Sequence, residues 1–164
     1  MTDTRHSRRF FCLASLAALG GCGFTPVYGP GGSAAALHDA VLVDAPTTRD
    51  AFLLVREIEQ RLGRGNPAVY GLSYAIKVDE ESIAIDLNDV TQRYNLLGEI
   101  TYALRNLETG AVVTSGKVSN FTGYSASGST VATQAAERDA RARLMSILAN
   151  MLITRLVAAP VPAT

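Results

Sequence analysis

The chain has 164 residues, 48% of them hydrophobic and 18% charged, with 15 Lys and Arg offset by 15 Asp and Glu. That is apolar material for one modest domain, and a balance of charge unlike that of proteins that neutralise nucleic-acid phosphates. Two Cys and two His exclude a four-ligand Cys/His zinc site without carboxylate help, and any multi-disulfide scaffold.

Arg5, Arg8 and Arg9, against the single acid Asp3, precede an apolar run from Phe10 to Leu19. A positive start followed by an apolar stretch too short for a stable span is the layout of a signal peptide. Ser7-Arg8-Arg9-Phe10-Phe11 has the form of a twin-arginine export signal, so that route and the general secretory route both stay open. Leu19-Gly20-Gly21-Cys22 resembles the bacterial lipobox, in which cleavage between Gly21 and Cys22 leaves the cysteine acylated at the new N-terminus. Charge, apolar length, small residues and cysteine occur in the required order, which outweighs a free thiol or an uncleaved anchor. Gly23 rather than Asp follows the cysteine, pointing to the outer membrane, on its periplasmic side. Each buried methylene contributes about 0.8 kcal/mol, so two or three acyl chains anchor a protein without any transmembrane segment. Residues 1–21 are therefore read as a signal peptide. Their removal takes away three Arg and one Asp, leaving 12 basic against 14 acidic groups.

Residues 22–36 are the lipidated start and a tether, since Pro26, Gly29, Pro30, Gly31, Gly32 and Ser33 suit no regular element. Gly29-Pro30-Gly31-Gly32 lacks the preceding strand and the following Lys-Ser/Thr of a phosphate loop. The folded domain is placed at 37–157. Ala40-Val41-Leu42-Val43 predicts a short strand. Thr47 or Thr48 caps a helix in which Ala51, Leu54, Val55, Ile58 and Leu62 recur on one face, and Gly63 and Gly65 end it.

From Tyr70 the period becomes two. Tyr70, Leu72, Tyr74, Ile76 and Val78 point one way, a turn is predicted at Asp79-Glu80-Glu81, and Ile83, Ile85 and Leu87 resume the inward pattern. Tyr94, Leu96, Ile100, Tyr102 and Leu104 mark the next strand, and Glu108-Thr109-Gly110 turns into the last, Ala111 to Thr122. Ser129 or Thr130 then caps a long helix to about Val157. Val131, Ala135, Ala142, Met145, Ala149, Leu152, Ile153 and Leu156 form one stripe, and Leu144, Ile147, Leu148 and Met151 lie on the other side. The second half therefore needs cover on two sides, from the first helix or from a partner. Residues 158–164 are a tail. The expected fold is α+β, two helices on one face of a mainly antiparallel four- to five-stranded sheet, in the order β-α-β-β-β-β-α.

Catalytic chemistry is scarce. Gly123-Tyr124-Ser125-Ala126-Ser127 sits where a nucleophile elbow would, but Ser127 replaces the closing Gly and the one histidine after the leader, His38, precedes the serine. Asp86-Leu87-Asn88-Asp89 starts like a calcium loop without its glycine or final Glu. Asp79-Glu80-Glu81 reads as solvated, and an acylated Cys22 is no nucleophile. No enzyme, metal or cofactor is expected. Lys77, Arg93, Arg105 and Lys117 share the parity of the outward sheet face with Asp79, Asp86 and Glu99. This is a solvated face, or else a surface where Lys77, Arg93 and Lys117 meet the phosphates of an anionic lipid headgroup.

Gly21-Cys22-Gly23-Phe24-Thr25-Pro26-Val27-Tyr28-Gly29, Gln92-Arg93-Tyr94-Asn95-Leu96 leading to Tyr102-Ala103-Leu104, Thr109-Gly110, and Ala135-Ala136-Glu137-Arg138-Asp139-Ala140 before an apolar helix together resemble the LptE family of lipopolysaccharide (LPS) assembly lipoproteins, in its alphaproteobacterial form. The likeness rests on order and spacing along the chain from Cys22 onward. It implies a small α+β lipoprotein that plugs the LptD outer-membrane β-barrel as a heterodimer and helps deliver LPS, by shape and contact rather than by reaction. The resemblance carries over Cys22 alone as a functional residue. The alternative is an auxiliary lipid-binding lipoprotein of an ABC-type envelope lipid transporter.

Overall fold

The chain runs α1 (Ser33–Leu37), β1 (Val41–Val43), α2 (Arg49–Leu62), β2 (Tyr70–Ile85), β3 (Thr91–Asn106), β4 (Val112–Ser125) and α3 (Thr130–Ala158), in a computed structural model that describes residues 32–85 and 91–160, the side chains at 84, 85, 91 and 92 excepted. The four strands form one sheet in the order β1-β2-β3-β4. The pairings of β2 with β3 and of β3 with β4 are antiparallel; β1 lies parallel to β2, Val41 opposite Tyr70, because α2 carries the chain back to the end from which β1 started. The class is α+β with a mainly antiparallel sheet, as expected, although α1 precedes the first strand and the meander has three strands rather than four.

Thr48 opens α2, its Oγ1 accepting from the Ala51 N–H at 3.1 Å, with Asp50 in the first turn and Arg61 in the last. Ala51, Leu54, Val55, Ile58 and Leu62 are the buried face that the spacing predicts. Gly63 ends the helix at φ +76°, a left-handed backbone at which its N–H still reaches Glu59 O. The other expected turn glycine, Gly110, also has positive φ, and the Asn106 side chain accepts there from the N–H groups of Glu108 and Thr109.

Three expectations are corrected. Asp79-Glu80-Glu81 is not a turn: β2 continues through it to Ile85, pairing Asp79 with Leu97 and Glu81 with Asn95. Ile83 falls at a register irregularity between Ser82 and Ala84 and is 52% exposed rather than inward. Ser33–Leu37 is a helix where tether was expected, held by Ser33 Oγ donating to Val157 O at 2.5 Å and by burial of Ala34 and Leu37. Finally, the stripe of α3 starts later than predicted. Val131 is 77% exposed and Ala135 is also exposed, whereas Ala140, Leu144, Met145, Leu148, Ala149, Leu152, Ile153, Leu156 and Val157 are buried. In the turns before Ala140 no residue is buried, Ala136 alone among the apolar ones packing partly against the core.

The second half of α3 is covered from within the domain. It lies against β3 and β4 on one side and α2 on the other, and its leucines share one core with Leu54, Ile58, Leu72, Leu96, Ile100 and Leu104. Gly98 permits the approach, since a Cβ there would stand 2.7 Å from Leu148 Cδ1 and 2.9 Å from Leu144 Cδ2.

Candidate functional site

Strand side chains alternate, so burying Tyr70, Leu72, Leu96, Ile100, Tyr102, Leu104 and Val118 beneath the helices turns the odd-numbered residues of the central sheet, between the register irregularities near the ends of β2 and β4, to the opposite face. Within it Lys77, Glu99 and Ser119 form one cross-strand row. The adjoining row on one side is Ala75, Thr101 and Lys117, and on the other Asp79, Leu97 and Phe121. Lys77 Nζ lies 2.7 Å from Asp79 Oδ2, and Lys117 Nζ lies 2.8 Å from Glu99 Oε1. The hydrogen bond to Asp79, and then its charge, raise the Lys77 ammonium above its ordinary range. Leu97 and Phe121, the latter 61% exposed, stand beside these pairs as apolar neighbours and, with Lys77, Asp79, Glu99 and Ser119, line a shallow hollow of about 350 Å³. Such a surface offers two ammonium groups to an anion only as that anion displaces carboxylates, with apolar contact alongside.

The structure thus brings Lys77 and Lys117 together around Glu99. Arg93 is on the same face but six residues along β3, about 20 Å away at strand rise, and Arg105 is exposed toward the other end, opposite Gly71 and Val112. Cys22, Gly21, Asp86 and the Asp86–Asp89 segment lie outside the described residues.

Two polar constellations were not anticipated from sequence. Tyr94 and Tyr124, directly opposite on β3 and β4, stack with ring centroids 5.3 Å apart, and Tyr124 donates to Glu80 Oε2 at 3.1 Å. Burial, then the bond to Glu80, pushes the Tyr124 hydroxyl up to about 12. The signal was the even number of Glu80, legible only if β2 was known to continue. Between the helices, Arg141 reaches Asp50 at 3.1 Å and Glu137 at 2.9 Å. Burial pulls this guanidinium down, but the two carboxylates outweigh it and hold it above its ordinary value.

Ser125 Oγ lies 2.8 Å from Ser127 Oγ, and His38 Nδ1 is 3.0 Å from Asp39 near the start of β1, remote from both serines along the fold. Among the described residues there is no group of three or more His, Cys, Asp or Glu placed to hold a metal ion, and no helix long and apolar enough to cross a membrane.

The arrangement of helices on one sheet face can be set against known proteins. The family model for LptE, lipopolysaccharide-assembly, matches residues 39–156, from just before β1 into the last turn of α3. The chain belongs to the LptE family. A comparison with curated proteins gives no match. Among solved structures, a Caulobacter crescentus protein described as a lipoprotein superposes with a TM-score of 0.62 at 24% identity, over 76% of this chain and 92% of its own. Rare lipoprotein B of Shewanella oneidensis gives 0.55 at 9%, over 73% and 92%, and a minor lipoprotein of Acinetobacter baumannii gives 0.53 at 14%, over 76% and 93%. At such identities the likeness establishes the shared fold. LptE proteins form a lipoprotein family that acts in LPS assembly without catalysing a reaction.

Proposed function

We propose that this LptE protein is an outer-membrane lipoprotein, acylated at Cys22 after cleavage at Gly21, which plugs the LptD β-barrel and contacts LPS during its assembly at the cell surface. The observation that supports this most is the family match over residues 39–156, following a lipobox that ends at Cys22. The fold suits a plug: a core closed on one side by α2 and α3 and, on the other, a broad sheet face where ion pairs alternate with exposed apolar groups such as Leu97 and Phe121, free to lie against a wall. Lys77 and Lys117 are the groups on that face placed to meet a lipid phosphate, with Arg93 as a separate contact.

Affinity purification of the tagged protein from its own membranes in mild detergent tests this reading. Retention of an outer-membrane β-barrel, with loss of surface LPS when the protein is depleted, is the expected result. A protein that comes away without any barrel, or whose depletion leaves surface LPS intact and stops phospholipid transport instead, would replace the plug with a transporter subunit. Mass spectrometry of the mature N-terminus checks the anchor independently: an unmodified Cys22 removes it.

A further inference from the structure

A groove of about 680 Å³ opens where α1 crosses the C-terminal parts of α2 and α3. Its floor is apolar, made by Ala34, Ala35, Leu62, Ile153 and Val157. Its rim is rich in hydrogen-bond donors: the Arg61 guanidinium, which makes no ion pair among the described residues, and the half-buried Asn150 amide. Such a lining selects an extended apolar chain with spare acceptors.

We propose that the occupant is residues 24–31 of the same chain, folded back so that the apolar side chains of Phe24-Thr25-Pro26-Val27-Tyr28 rest on this floor. Three observations converge. First, α1 is both the wall of the groove and the continuation of this segment, and the bond from Ser33 Oγ to Val157 O fixes the point where the two join. Tyr28 is six residues before Ala34, so it is never more than about 20 Å from the wall, and its effective concentration there is of millimolar order. Second, a solvated spacer needs only Gly, Ser and Pro, whereas this one carries Phe, Val and Tyr within five residues, ahead of a Gly-Pro-Gly-Gly stretch able to reverse direction. Third, Pro26 and Pro30 have no N–H, which leaves the segment with more carbonyl acceptors than donors, the complement of a rim of Arg61 and Asn150. Where Cys22 carries the acyl chains, a reading that belongs to the proposed function, this seating holds the C-terminal end of α3 close to the membrane in place of a loose leash. The seating itself does not depend on acylation.

Photo-cross-linking in the full protein, in its own membranes, tests the occupant. p-Benzoylphenylalanine is placed at Thr154 or Asn150 on the groove and at Thr101 on the open sheet face, and the joined peptides are mapped by mass spectrometry. The expected result is an intramolecular product joining either groove position to residues 24–31, well above the yield from Thr101. Capture of residues 161–164, of a lipid or of another protein overturns the proposal, and so does a yield no higher than the control. Using one exposed and one half-buried position keeps the test valid if either variant fails to fold. Barrel retention is a separate measurement, so failure of the plug reading and failure of the groove reading are told apart.

Discussion

Tyr124 on β4 donates its hydroxyl to Glu80 on β2 at 3.1 Å, spanning β3 beneath a ring stacked on Tyr94. The contact ties together two strands that share no ladder, at the end of the sheet beyond α2. Burial of Tyr124, and then the bond to the Glu80 carboxylate in this part-buried contact, hold its hydroxyl up to about 12. The folded value lies above the ordinary 10.0, so the native state retains a proton that the unfolded chain gives up. The stabilisation is complete below about pH 10 and is lost as pH rises through about 12. The difference between the ultraviolet titrations of the native protein and Tyr124→Phe should show this late ionisation. In Glu80→Gln the midpoint should fall yet stay above the ordinary value, since burial is the larger cause; a midpoint near 10 in the unsubstituted protein would refute the assignment.

Gly98 is expected to resist every larger residue. Its Cβ position falls among Leu144 and Leu148, both fully buried, so neither leucine can swing away without opening the core. Gly98→Val should cost about 1–3 kcal/mol, the range for overpacking, and Leu148→Ala about 2–5 kcal/mol through the cavity it leaves. Urea unfolding measures both. Combining them should recover part of the loss, because the valine would occupy space the leucine vacates; strictly additive losses would show that α3 does not lie on Gly98.

Arg141 should hold α2 to α3 as a shared guanidinium rather than as a simple charge. Its side chain is 29% exposed and Asp50 is 19% exposed, so the pair is shielded better than a surface bridge. Arg141→Met should lose roughly 1.5–3 kcal/mol, the range for charged hydrogen bonds, and Arg141→Lys should recover little, since one ammonium nitrogen does not reproduce the separate Nε and Nη1 donors that face Glu137 and Asp50. A double-mutant cycle with Asp50→Asn is expected to be non-additive. Independent effects would mean the contact contributes nothing.

Much of this architecture could be read from residue order, and the failures have a common physical origin. The α2 face from Ala51 to Leu62, the Thr48 cap and the parity of β3 follow from periodicities that the core enforces. The error at Asp79-Glu80-Glu81 came from treating three acids as a turn signal. In the fold, Asp79 is paired with Lys77 and Glu80 with Tyr124, partners 2 and 44 residues away in sequence, and a strand tolerates charge where such partners exist. Val131 and Ala135 fit the stripe of α3 by angle alone, but angle does not say where the packing partner begins. Lys77 and Lys117 carried the right parity, and their proximity depended on a β2–β4 register that single strands do not encode. Arg93 shared the parity without the neighbourhood.

The open face offers the most direct measurement of function. Lys77 and Lys117 are well exposed and their ion pairs lie at the surface, where solvent screening leaves little net stabilisation, so Lys77→Glu and Lys117→Glu should leave unfolding midpoints almost unchanged. If a lipid phosphate is received at this face, the double reversal turns two attractive groups repulsive beside Asp79 and Glu99, and affinity for purified LPS should fall by about tenfold or more, 1.4 kcal/mol being a factor of ten. Arg93→Glu, about 20 Å off by strand rise, should have a smaller and additive effect. Raised salt should weaken binding by the unsubstituted protein and strengthen binding by the double variant, because screening weakens the attraction in the first and relieves the repulsion that the reversal introduces in the second. Equal binding by all forms across the salt series would reassign these lysines to solvation of the sheet and leave Leu97 and Phe121 as the groups to change next.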